Sequence, residues 1–206
     1  MSINSHPSSG LLARFASGDL PLALALVVES HAETCRHCAG SIRSHEEGHG
    51  RALMDLPDAE MRPDALERAL ARLGSPASAA PQVGDVPLPA AILRHGLRAR
   101  RFLGPDYWVA PVRRSHRDNW RAYVIRAPEG TKIPVHRHVG PEYFQVLMGG
   151  VQGSALHRAG DFVSEPPDLE HALEVSSQAP CACLIAGENG AHWRGFTRLL
   201  SPWLGI

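Results

Sequence analysis

Two hydrophobic periodicities divide this chain. Over residues 8–73 apolar positions recur at helical spacing, and beyond residue 90 they come in short runs broken by turn residues. Leu11, Leu12, Phe15 and Ala16 form the first helical stripe. Asp19-Leu20-Pro21 opens a second helix, because proline fits an early position whose N–H needs no partner. From Leu22 to Thr34 that helix is Leu, Ala and Val, with Glu29 and His31 toward its end. Arg36 to Leu53 predicts a third, thinly apolar through Ile42 and Leu53. Pro63-Asp64 starts the clearest one: Leu66, Leu70 and Leu73 share a face, Asp64 and Arg68 are an i,i+4 pair, and Gly74 ends it. Helices this short are not stable alone, so they need each other, a metal or a partner.

Residues 74–90 carry four prolines and two glycines and read as a linker. Strand-like runs follow at Tyr107–Val112, Trp120–Arg126, Tyr143–Met148, His171–Val175 and Cys181–Ile185, separated by Gly, Pro, Asp and Asn. Many short strands at this spacing predict an antiparallel sandwich or small barrel. The chain is therefore expected to be α+β with two domains: a small helical bundle over residues 1–80 and a β domain over residues 91–206.

Composition narrows the function. The 21 basic and 21 acidic residues cancel, which argues against a nucleic-acid backbone as the main partner. Residues 1–80 hold seven arginines against ten acidic residues, so the helical part is weakly acidic. No stretch reaches the roughly 18 apolar residues of a membrane span, and the first residues lack the basic and apolar regions of a signal peptide. A cytoplasmic protein with reduced thiols and no membrane partner is expected. Twelve histidines are the anomaly, since neither charge nor core packing requires them.

The densest run of potential ligands is His31-Ala-Glu-Thr-Cys35-Arg-His-Cys38. On a helical turn His31 and Cys35 are i,i+4 and Cys35 and Cys38 are i,i+3, so all three can face one point. Two thiolates and an imidazole suit tetrahedral zinc. A redox Cys-x-x-Cys would want a βαβ context that is missing. The fourth ligand could be His6, His37, His45 or His49; His37 would point elsewhere on a helix, whereas the tip carrying His6 could fold back over the second helix. Four protein ligands would leave no position for substrate, so a structural zinc is expected, stapling a helical domain with little core of its own.

The second signal is Gly130-x5-His136-x-His138-x3-Glu142-x6-Gly149. Two histidines two apart on a strand point to one face. Glu142 follows a Val-Gly-Pro bend and begins the next strand, where Phe144, Val146 and Met148 are expected to share its side. An apolar interior lined with imidazoles needs a compensating ion, and His171, opening a later strand, fits as fourth ligand. His95, His116, His157 and His192 are given no role. Cys181 and Cys183 alternate on an apolar strand and read as core or pocket-wall residues.

This second spacing resembles the first motif of the cupin fold, with His136, His138 and Glu142 as ligands. The second cupin motif is matched by Gly160-x5-Pro166-x-Asp168-x2-His171-x3-Val175, in which Asp168 and Val175 replace the usual Gly and Asn. The whole architecture resembles the ChrR-type anti-sigma factors, a zinc-binding helical domain followed by a cupin-like domain. The resemblance implies an antiparallel β cupin barrel behind the helical bundle. It places a first zinc on His6, His31, Cys35 and Cys38, and a second zinc, or another divalent metal, on His136, His138, Glu142 and His171. It also implies an anti-sigma factor, not an enzyme. The helical domain would sequester an extracytoplasmic-function sigma factor, and the cupin-like domain would serve release on an oxidant signal such as singlet oxygen. The alternative is a cupin-type metalloenzyme, a dioxygenase or isomerase, which would leave the first 73 residues without a job.

Overall fold

Helix α1 (Ser9–Ala16) starts where the Ser8 hydroxyl accepts the Leu11 N–H at 3.2 Å. Helix α2 (Leu22–Thr34) is apolar around nearly its whole circumference, and such a helix has to be buried. It stops at Cys35, whose extended backbone (φ −109, ψ 101) also begins α3 (Arg36–Met54). That thiol therefore sits at the corner between two helices. Helix α4 (Ala65–Ala71) buries nothing. A fifth helix, α5 (Ala90–His95), follows Pro89 where the prolines suggested only linker. Its first N–H groups are taken by one carboxylate of α2, with Glu33 accepting from Ala90 and Ala91 at 2.8 Å each. The computed structural model describes residues 3–73, 84–113, 119–188 and 191–193. Residues 74–83 of the expected 74–90 linker, His116 and residues 194–206 lie outside them.

The strands are β1 (Arg101–Gly104), β2 (Tyr107–Pro111), β3 (Trp120–Ala127), β4 (Lys132–His138), β5 (Glu142–Met148), β6 (Gly150–Gln152), β7 (Leu156–Arg158), β8 (Phe162–Glu165), β9 (Glu170–Val175), β10 (Cys181–Glu188) and β11 (Ala191–Trp193). All pair antiparallel, in two sheets ordered β1-β2-β3-β10-β5-β8 and β11-β4-β9-β6-β7. The expected cupin barrel is thus not formed. Among the described residues no strand of one sheet pairs with a strand of the other, so the sheets stay open and face each other. Two local causes are visible. The chain changes sheets at Gly149, whose positive φ (+71) and closeness to the Pro180 carbonyl leave no room for a side chain. At the β8 edge the outward N–H of Phe162 goes to the Ser5 carbonyl at 3.0 Å, so the N-terminal segment occupies the place a closing strand would need.

Alternation along the six-stranded sheet gives it two apolar faces. Val124, Ala182, Leu184, Ala186 and Phe162 pack with Leu24, Leu26, Val27 and Val28 from the helices. Phe144, Val146, Val163, Cys181 and Cys183 point the other way, toward Val151 and Val175 of the second sheet. The layers are helices, six strands, then five strands. One expectation about facing fails. The register of β5 slips against β10 between Val146 and Met148, and this bulge turns Met148 to the helix side, away from Phe144 and Val146.

If α2 is held by the central strand, Leu184→Ala, at a fully buried position of that contact, costs about 2–5 kcal/mol. Chemical denaturation measures this directly, and an unchanged midpoint would mean that the helix does not pack there.

Candidate metal centres

The first cluster forms where α2 turns into α3. His31 is the last buried residue of α2, Cys35 is the corner, and Cys38 lies one turn into α3. His6 arrives from the segment before α1, its Nδ1 3.4 Å from Cys35 Sγ and 3.5 Å from Cys38 Sγ. For bonds of about 2.0 Å to nitrogen and 2.3 Å to sulfur, the S···N edge of a tetrahedron is about 3.5 Å, so these atoms already stand at coordination distance. His31 supplies the strictest test of fit. Its Nδ1 is 2.9 Å from the Gly160 carbonyl, which can only accept, so Nδ1 carries the proton and Nε2 the lone pair. That Nε2 is buried without a hydrogen-bond partner. A lone pair buried and unsatisfied beside two thiols is what a cation would satisfy. Burial lowers the His31 pKa to about 4, which keeps the imidazole neutral and able to coordinate. Burial, and then Cys35 beside it, pushes the Cys38 thiol up to about 12, so a thiolate there depends on a cation.

The second cluster lies between the sheets. Strand β4 brings His136 and His138, β9 brings His171 opposite His136, and β5 brings Glu142 across from the other sheet. His138 Nε2 is 2.8 Å from His171 Nε2, which is 3.1 Å from His136 Nε2. The Pro134 carbonyl, 2.9 Å from His136 Nδ1, fixes the proton of that ring on Nδ1 and aims its Nε2 lone pair at the group. Three converging imidazole nitrogens cannot all be satisfied by one another; a cation among them resolves the conflict. Burial, then the other two rings, lowers His138 to about 4; burial, then His136, brings His171 to about 4. Burial, followed by the nearby Glu165, raises Glu142 to about 8, and the Tyr123 hydroxyl, donating to it, works in the opposite direction. Three neutral rings and a carboxyl whose pKa burial raises form a group that could exchange that proton for a metal.

Residues 101–189 match the ChrR cupin-like domain. The anti-sigma-E factor ChrR of Cereibacter sphaeroides is 29% identical over 230 residues, spanning 100% of this chain and 100% of its own. A crystal structure of Rhodobacter sphaeroides SigE in complex with the anti-sigma ChrR superposes with a TM-score of 0.72 at 25% identity, covering 91% of this chain and 100% of that one. The match runs through the helices as well as the sheets. Along its whole length the chain is similar to a ChrR-type anti-sigma factor. The matches that span the chain are to an anti-sigma factor, and they take in the helices that the cupin-enzyme alternative left unexplained.

All eight residues expected as ligands come together in two groups of four, the candidate atoms within each lying within 4.8 Å of one another. Both groups could hold a metal ion. His37 stays outside, its ring 5.6 Å from that of His6, and on α3 His45 is half-buried and His49 exposed. His157 packs edge-on against Phe144, and Cys181 and Cys183 are buried in the core between the sheets. Asp168, standing where cupins have glycine, has φ +62, a left-handed conformation that aspartate tolerates, and its N–H bonds to the His138 carbonyl at 3.1 Å. The turn survives the substitution and His171 keeps its register. The supporting groups Tyr123, Glu165 and Gly160 were not recognised from the sequence. Tyr123 looked like one more residue of an apolar strand, and Glu165 is brought level with Glu142 only by the β5–β8 pairing.

Metal affinity at the second cluster rises with pH between 6 and 8, by up to about tenfold per unit, because the Glu142 proton competes in that window while the rings are already neutral. Competitive metal titration checks this, with Glu142→Gln expected to flatten the slope. A slope identical in that variant would remove Glu142 from the site.

Proposed function

We propose that this chain sequesters an extracytoplasmic-function sigma factor through a helical anti-sigma domain, residues 1–80, and that a cupin-like domain, residues 91–206, governs its release. The observation that carries this reading is an apolar surface at the end of the helical part. Leu53, Met54, Leu56, Met61, Leu66, Leu70 and Leu73 are all more than half exposed, and α4 has no buried residue. Exposed leucines and methionines concentrated in one stretch of chain suit a partner surface. An inhibitor of this kind works by occupation. It covers surface that the sigma factor needs for RNA polymerase, and no bond has to be made or broken.

The donor sets suggest the ions. Two thiolates and two imidazoles make a closed zinc site of the structural type, with no position left for a substrate. His6, His31, Cys35 and Cys38 would then lock the corner between α2 and α3 and stabilise the helices that carry the partner surface. His136, His138, Glu142 and His171 suit zinc or another divalent metal. An oxidant such as singlet oxygen would act either on the thiolates directly or at the enclosed second site, whose strands lie in the same sandwich that holds α2. Thiolate ligands and a partner that serves RNA polymerase put this work in the cytoplasm.

Full burial of one leucine contributes about 1.5–3 kcal/mol, so Leu66→Asp with Leu70→Asp lowers affinity for the sigma factor by at least about a hundredfold. Metal content is expected to be unchanged. Titration calorimetry of the purified proteins decides it, and wild-type affinity in the double variant would move the interface elsewhere. His136→Ala with His138→Ala leaves sigma binding intact and abolishes release under singlet oxygen. Normal release in that variant would assign sensing to the Cys35 and Cys38 thiolates instead.

A further inference from the structure

The first metal cluster is not assembled by the helices alone. Both of its histidines are held by the turn between β7 and β8. Asp161 in that turn is 1% exposed, and its carboxylate accepts three backbone N–H groups. Oδ1 takes those of Asn4 at 2.7 Å and Ser5 at 3.2 Å, and Oδ2 takes that of Arg158 at 2.9 Å. A carboxylate this deep is stable only when its acceptor capacity is used. Here two of the three donors come from the residues immediately before His6. The Ser5 carbonyl completes the grip by accepting the Phe162 N–H at 3.0 Å. Gly160, next to Asp161, lends its carbonyl to His31 Nδ1. Its φ is +96, and a Cβ there would lie 2.8 Å from Ile3 Cγ1, so only glycine lets the N-terminal segment pass this close.

His31 is also bracketed from the sheet. Gln145 of β5 bonds to the Ser30 hydroxyl, reaches the Ser30 carbonyl at 3.4 Å, and donates to the Thr34 hydroxyl at 3.4 Å. It stands three residues from Glu142 on the opposite face of the same strand. The four candidate ligands therefore divide by origin. Cys35 and Cys38 belong to the α2–α3 corner, whereas the positions of His6 and His31 are set by contacts with the β sandwich.

We propose that Asp161 is a positioning residue for the first metal centre: by anchoring the backbone of Asn4 and Ser5 it delivers His6 to Cys35 and Cys38, and with the Gly160 carbonyl on His31 it makes the metal affinity of the helical part depend on a turn of the β sandwich. This rests on the reading of that cluster as a metal centre. A displacement of the β7–β8 turn relative to α2 would then loosen two imidazole ligands together while the two sulfurs stay in place. The connection runs through direct contact and does not require residues 74–90.

The test uses the full-length protein loaded with cobalt(II). Only the first cluster contains cysteine, so the thiolate-to-cobalt charge-transfer absorption reports that site separately from the second. Asp161→Asn removes one acceptor while keeping the shape. Asn4→Pro removes one donor without touching Asp161 or any ligand. Each is expected to weaken cobalt at the thiolate site about 10–100-fold against a competing chelator, with the second site unchanged. The double variant should be no worse than the more severe single one, because both break the same clamp. Should Asp161→Asn lose its helical circular dichroism, the Asn4→Pro protein still decides the matter. Wild-type affinity in both variants would overturn the proposal. So would a loss confined to Asp161→Asn, since the carboxylate would then serve only the fold of its own turn. A wild-type protein with no thiolate absorption would instead remove the metal reading of the cluster, and the proposal with it.

Discussion

Helix α2 has almost no solvent face. Ala23, Leu24, Leu26, Val27, Val28, Ser30 and His31 are all buried, and the surfaces that bury them are one side of the six-stranded sheet and the neighbouring helices α3 and α5. Burying those aliphatic side chains is the favourable term that fixes α2, and the other features follow from where it is fixed. Its C-terminal end sets the height of His31 against Gly160. Its termination at Cys35 starts α3 and turns a thiol toward the same point. Glu29 and Glu33 on its outer side hold α5, with Arg94 pairing Glu29 and the first amides of α5 bonding to Glu33.

A division of stability along the chain results. The first three helices are packed against each other and, through α2, against strands. Beyond α3 this support ends, and the leucines of α4 are more than half exposed. An inhibitor needs such an arrangement. The packed part defines the direction of the apolar surface, while the surface itself stays unpaid for in the free protein and gains its burial from the partner. The metal clusters lie on the packed side of that boundary, one at the helix–sheet contact and one between the sheets. Either is therefore in a position to change how the exposed end is held.

Much of this was legible in the residues. The Leu-Ala-Val run of α2, the stripe of Leu66, Leu70 and Leu73, and the two ligand spacings depend on contacts within a few residues, which local pattern records well. Most of the candidate ligands could be named because histidines two apart on a strand and cysteines three apart on a helix leave little freedom of direction, whereas His6 was singled out among four histidines only by the family resemblance. Long-range events were not legible. Ser5 takes the outer edge of β8 in the open sheet, in a contact whose neighbouring pair, Asn4 and Asp161, stands 157 residues apart in sequence. Met148 changes sides through a one-residue bulge that no alternation rule anticipates. The role of Asp161 had no signal of this kind, since its donors are backbone groups and leave no trace in residue identity.

The central claim is that the chain meets its partner with the exposed apolar end while the α2–sheet layer stays closed. Hydrogen–deuterium exchange of the full-length protein, alone and bound to an extracytoplasmic-function sigma factor, tests it most directly. Binding should slow amide exchange over residues 53–73 and leave α2 and β10, already protected in the free protein, unchanged. Protection appearing on the β sandwich with none over residues 53–73 would contradict it.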